Sequence, residues 1–330
     1  VDYQPLAFDQ IREDLRFLRG KLTRPVVAWH DPNFGVRFDD YMSAIEDAVP
    51  PGGVRFVAES SLSLLSEPHL HRLKANGFIG ILPGIESWFD LGNKSKTGRN
   101  VGIDKVRQVS DHVNTILRHI PFVQTNFVLG LDSDEGAEPF ELTKRFFEMT
   151  PGAYPAFSLL TAYGRAAPLN LELQRTGRVL PFPHFFLDGN HAMNVQPLNY
   201  GWAEFYDRTV DVTRHAMTGR LVWRRLAANR GVATKALNLV RATSSKRVKF
   251  QSKIRRLLDS DPAVRRFFQG ASTRLPDFYQ ERMRLSLGPL WHALPKGALM
   301  HDQNAYLADP TGYAIPPQSI QARARQRRVA

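Results

Sequence analysis

Apolar residues along the first half of the chain switch repeatedly between a helical period and short continuous runs. Phe8, Ile11, Leu15 and Leu18 stand three or four apart with charges between them, which predicts an amphipathic helix over 8–20 that stops at Gly20. Pro25-Val26-Val27-Ala28-Trp29 then reads as a buried strand, and it runs into the turn-rich loop His30-Asp31-Pro32-Asn33-Phe34-Gly35. Helical spacing returns over 37–49, and Pro50-Pro51-Gly52-Gly53 breaks it. Val54–Ala58 predicts a second strand, ending at Glu59-Ser60-Ser61. A helix over 62–75 closes at Asn76-Gly77. The third strand, Phe78–Leu82, ends in the turn Gly84-Ile85-Glu86-Ser87. After the Lys- and Gly-rich loop Leu91–Gly102 come a helix at 103–118, a fourth strand over Phe122–Gly130 leading to Leu131-Asp132, a helix at 138–149, and a fifth strand near Ala156–Leu160.

Strands alternating with helices predict a parallel sheet with right-handed connections. Polar residues close strand after strand instead of gathering at one crossover, so a barrel or partial barrel fits better than a doubly wound sheet. From Pro181 the pattern changes. Pro181–Phe186 reads as a connector, and 201–230, 232–258 and 261–285 read as mostly helical, with aromatics and paired arginines. Two domains are expected: an α/β core over 1–185 and a basic, mainly helical extension over 186–330, ending in a disordered tail around Arg323–Arg328.

Composition narrows the chemistry. Cysteine is absent, which excludes disulfides and any thiolate-held zinc or iron–sulfur site within these residues. With 43% hydrophobic residues, no apolar run of membrane-spanning length and no signal peptide, a soluble cytoplasmic protein is expected. The charge is uneven. Residues 201–330 hold 24 Lys and Arg against 9 Asp and Glu, a net +15; residues 1–200 hold the other 20 against 23, a net −3. The two halves therefore present different surfaces.

The strand ends carry the candidate site. His30, Asp31 and Asn33 follow the first strand, Glu59 and Ser60 the second, Glu86 and Ser87 the third, and Asp132 the fourth, with Asn126 inside the fourth. In a parallel barrel these positions face one mouth. Carboxylates there would accept charge-assisted bonds from ammonium and ribose hydroxyl groups. Each also has a structural reading: Asp31-Pro32-Asn33 as a turn, Ser60 and Ser61 as helix caps. His30, Asp31 and His191 with a carboxylate compose a lesser alternative, a metal-dependent barrel hydrolase, although no tight ligand spacing marks it. A further alternative is a non-catalytic binding protein. Arg224-Arg225, Lys246-Arg247, Lys249, Lys253, Arg255-Arg256 and Arg265-Arg266, interleaved with Trp223, Phe250 and Phe267, would dock RNA or an anionic lipid surface, or simply be a solvated helical face.

From Val26 to about Leu180 the chain resembles the radical S-adenosylmethionine superfamily, in particular its cobalamin-associated branch. The resembling segments are Trp29–Phe34, Gly84-Ile85-Glu86-Ser87, Asn126–Asp132 and the run ending Gly177-Arg178-Val179-Leu180. The resemblance implies a partial six-unit (β/α) barrel. It also implies S-adenosylmethionine held on a [4Fe–4S] cluster, reductive cleavage to a 5′-deoxyadenosyl radical, an external electron donor and the cobalamin-binding domain to which that branch is often fused. It would place Gly84, Glu86 and Ser87 in the cofactor-contacting motif and lay Asn126, Gly130 and Leu131 along the adenine. Asp31, Asn33, Glu59 and Ser60 would sit near methionine or substrate, whose identity it leaves open.

The chain departs from that family in one respect. Five strands are predicted where the family has six, and the family's CxxxCxxC loop would fall just before residues 1–20, which look like its first helix. A core missing its first strand together with the cluster ligands, and so inactive by itself, is the expectation. A natural cysteine-free relative that binds without radical chemistry is the rival.

Overall fold

The structure is a computed structural model. It describes residues 7–30, 34–89, 100–163, 168–183, 193–243 and 246–294. Asp31, Asn33, His191 and the basic tail lie outside the described residues.

Five strands form one parallel sheet in chain order: β1 (Val26–Trp29), β2 (Arg55–Ser61), β3 (Phe78–Glu86), β4 (Phe122–Leu129) and β5 (Tyr154–Leu159). Helix α1 (Phe8–Lys21) precedes β1. Helices α2 (Phe38–Ala48), α3 (Glu67–Ala75), α4 (Gly102–His119) and α5 (Glu138–Met149) fill the four connections. A strand order that never reverses, joined by right-handed crossovers, puts every connecting helix on the same face of the sheet. A doubly wound sheet needs a reversal to cover its second face. The fold is therefore α/β and singly wound, compatible with a partial α/β barrel.

Neighbouring helices lock side by side. Phe8 of α1 meets Tyr41 of α2 edge to face at 5.2 Å. Arg72 of α3 holds Glu46 and Asp39 of α2. His112 of α4 bonds the Leu65 carbonyl before α3, and Asn114 of α4 donates to the Met149 carbonyl ending α5.

Two sequence boundaries shift. β2 runs through Glu59-Ser60-Ser61, and β3 runs through Pro83 and Gly84 to Glu86; neither stops at Ala58 or Leu82. Pro and Gly read as a turn in isolation. Here the parallel ladder carries across them, with Ser60 opposite Pro83 and Ser61 opposite Gly84. Flanking strands override the local preference.

The chain divides into two compact units. One comprises Val1–Val128, Ala137–Phe157 and Val212–Ser244; the other Leu129–Gly136, Ser158–Asp211 and Ser245–Ala330. In the first unit the helix-covered face of the sheet is apolar, with Phe56, Ala58, Ile81, Ile85, Val123 and Phe127 buried. Phe127 is ringed by Trp88, Phe146, Phe147 and Phe157. The second unit has its own aromatic core, in which Phe182, Phe205, Tyr206, Phe267, Phe268 and Tyr279 are buried. There Trp202 donates its indole N–H to the Phe268 carbonyl.

Candidate functional site

A strand's side chains alternate between faces. On β2, Phe56, Ala58 and Ser60 are buried beneath the helices while Val57, Glu59 and Ser61 are half-buried; on β4, Val123, Thr125 and Phe127 alternate with Gln124, Asn126 and Val128 in the same way. The second set lines the sheet's open face, at the end where the strands finish. Register joins them into rows. Ser61 lies opposite Gly84, and Gly84 opposite Asn126; Glu59 lies opposite Leu82.

Glu86 completes the upper row by an unusual route. The β3–β4 register slips between Gly84 and Glu86, and Glu86 has φ 64°, in the left-handed region. That region is sparsely used by residues other than glycine, and a strained residue at a strand end motivates a functional reading. The twist folds the Glu86 carboxylate back over Gly84: a Cβ on Gly84 would lie 2.6 Å from Glu86 Oε1. Having no side chain, Gly84 leaves the space that this carboxylate occupies.

Asn126 is held by a chain of donors. Arg241 Nη1 donates to Gln124 Oε1 at 2.5 Å, Gln124 Nε2 to Asn126 Oδ1 at 2.8 Å, and Asn126 Nδ2 to the Leu82 carbonyl at 3.3 Å. Below, His30 Nδ1 lies 3.4 Å from Glu59 Oε1, its side chain largely exposed. The open face thus gathers Glu59, Ser61, Glu86, Gln124 and Asn126: two carboxylates, a hydroxyl and two amides beside a glycine. Such a set accepts from amines and hydroxyls.

The other candidates separate from this group. Ser60 is 5% exposed on the helix side, where its hydroxyl donates to the Ser61 carbonyl. Ser87 is buried, and its Oγ accepts from the Phe89 N–H, closing the turn. Gly130 and Leu131 belong to the second unit. Gly130 has φ 89°, and a Cβ there would come within 2.9 Å of Met193 and Phe205, so backbone and packing both require glycine. The Leu131 carbonyl accepts from Asp134 N–H in a turn. Asp132 makes a bidentate pair with Arg178 at 2.6 and 2.7 Å. Both residues of that pair belong to the second unit.

Ser61, Gln124 and Arg241 are the open-face residues that sequence reasoning passed over. Counting by two from Glu59 finds Ser61 in place of Ser60; counting back by two from Asn126 finds Gln124. Nothing local marks Arg241, 117 positions beyond its partner.

Parts of the basic region serve packing. Arg225 is 2% exposed and bonds the Ala153 and Ala216 carbonyls; burial pulls its pKa down to about 10, leaving it charged at neutral pH. Arg220 and Arg224 converge on Glu148. Arg255 pairs with Asp207 and Asp259. Phe250 and Phe267 are buried, whereas Trp223 is 71% exposed. No helix among the described residues is long and apolar enough to cross a membrane.

No protein-family model matches this chain, and no curated protein matches it.

Proposed function

We propose that the first unit carries the S-adenosylmethionine-binding part of a radical S-adenosylmethionine-type barrel, with the ligand seated on the open face at the strand ends. The observation that carries the reading is Glu86: a left-handed residue on a register slip, its carboxylate laid over Gly84 in a row with Ser61 and Asn126. The donor set suits the ligand. Glu59 and Glu86 accept from the ammonium and the ribose hydroxyls, and the Asn126 amide, fixed through Gln124 and Arg241, presents polar edges to the adenine. S-adenosylmethionine bound there would present a sulfonium, whose reductive cleavage needs an electron that these residues do not supply.

The iron–sulfur cluster does not fit these residues. A [4Fe–4S] centre is held by thiolates, and the 330 residues contain no cysteine. No redox step is assigned to this chain by itself. Its own part is to bind and orient the ligand.

Titration calorimetry with S-adenosylmethionine tests the reading. Binding should occur with about one ligand per chain; it should weaken about tenfold or more in Glu86→Gln, a hydrogen bond to a charged group being worth ~1.5–3 kcal/mol, and by roughly two- to tenfold in Asn126→Ala, a neutral one being worth ~0.5–1.5 kcal/mol. Absence of binding, or binding indifferent to both variants, would overturn it. Iron–sulfur reconstitution should yield no stoichiometric cluster absorbance.

A further inference from the structure

Away from the open face, one group of side chains has the composition of a metal site. Helix α3 places Glu67 and His71 one turn apart on one helix face, and α4 ends on His119. One ligand atom from each of the three residues lies within 4.8 Å of the others. His119 Nε2 stands 3.9 Å from a Glu67 oxygen, with the His119 side chain only 10% exposed. The two imidazoles meet edge to face at 4.6 Å. The Nδ1 of His119 is buried and has no hydrogen-bond partner. An imidazole so buried and so poorly satisfied is costly to keep. Its other nitrogen, Nε2, faces the Glu67 carboxylate beside the second imidazole, so a cation there would take Nε2 as its ligand and hold the ring proton on Nδ1.

We propose that Glu67, His71 and His119 bind a borderline divalent cation, zinc foremost, that clips α3 to α4. Two imidazoles and one carboxylate suit zinc, copper or nickel, whereas magnesium and calcium take oxygen ligands. Ligand atoms around four-coordinate zinc sit roughly 3.3 Å apart at bond lengths of ~2.0–2.2 Å. Glu67 and His71 are both exposed, so rotation of their side chains closes the difference, and water takes the fourth position. Lys74 and Arg118 act on His119 from nearby; their charge tempers the affinity and the Glu67 carboxylate opposes them.

Position assigns the role. His119 falls three residues before β4 begins at Phe122, at the opposite end of the strands from Glu86. In parallel barrels that end serves stability and the other serves chemistry. The cation is therefore a structural clip, separate from the proposed ligand site.

Tag-free protein, stripped of metal and titrated with zinc chloride, decides the matter by metal analysis after equilibrium dialysis and by thermal unfolding. About one zinc per chain is expected, with a zinc-dependent rise in Tm. His71→Ala and Glu67→Ala, both at exposed positions, should each weaken binding by at least about tenfold and abolish the rise, since losing even a supporting partner of a metal site costs ~10–100-fold. Cobalt in place of zinc should give visible bands that vanish in the same variants. Substoichiometric zinc, or equal affinity in the parent and both variants, would overturn the proposal.

Discussion

The two faces of the sheet in the first unit are made from the same stretches of chain and do opposite work. Phe56, Ala58, Ser60, Val123, Thr125 and Phe127 point under the helices and are buried; Val57, Glu59, Ser61, Gln124, Asn126 and Val128 point the other way and are half-buried. Parallel sheets are ordinarily covered and apolar on both faces. Here one face carries carboxylates, amides and a hydroxyl at the strand ends, a cost to packing that makes sense as a place for a polar ligand. One residue's shift along β2, from Ser60 to Ser61, moves a hydroxyl from core to site.

The sharpest way to break the comparison is to truncate the covered face. Phe127→Ala should cost ~3–5 kcal/mol in denaturant unfolding, because it empties the centre of a five-ring cluster. Next comes the same charge placed on either side of one peptide bond. Ser60→Lys should destabilise by about 3 kcal/mol or more through an unpaired buried ammonium, while Ser61→Lys should stay within about 1 kcal/mol. Equal effects would show that the faces are not distinct.

Glu86→Gly separates strain from function. Glycine accepts the left-handed backbone, so folding stability should remain within about 1 kcal/mol of the parent, while S-adenosylmethionine binding falls about tenfold or more. A large loss of stability would instead make Glu86 a structural residue.

The smallest effect lies in the helical layer. Hydrogen bonds from Arg72, its charge and the Asn76 amide hold the Glu46 carboxyl below its ordinary range. A lowered folded pKa means that the folded state binds fewer protons than the unfolded one. Its stabilisation is whole above the unfolded value of ~4.3 and is lost as pH falls through the lower folded value. Arg72→Leu removes most of that contribution, leaving the Asn76 bond, so the parent should lose more stability than the variant on acidification below about pH 5.

Much of the first unit could be read locally. Five strands and their intervening helices follow from period and punctuation, because a βα unit buries an apolar run and an amphipathic stripe that are both visible in order. The strand ends were harder. Pro83 and Gly84 carry turn chemistry, and only the ladders on either side reveal that β3 continues to Glu86. Glu59, Glu86 and Asn126 are legible as polar groups near strand ends. Ser60 and Ser87 fit the same pattern and are buried, since nearness in sequence does not decide the face.

Residue identity and local period are enough for the alternation of strand and helix, the absence of thiolate ligands and the charge asymmetry. That the sheet winds one way, that Glu86 folds over Gly84, that Arg225 is a core residue, and that Glu67 and His71 meet His119 emerge only in the packed chain. Each depends on which distant segments pack together, and packing, unlike period, leaves no local trace.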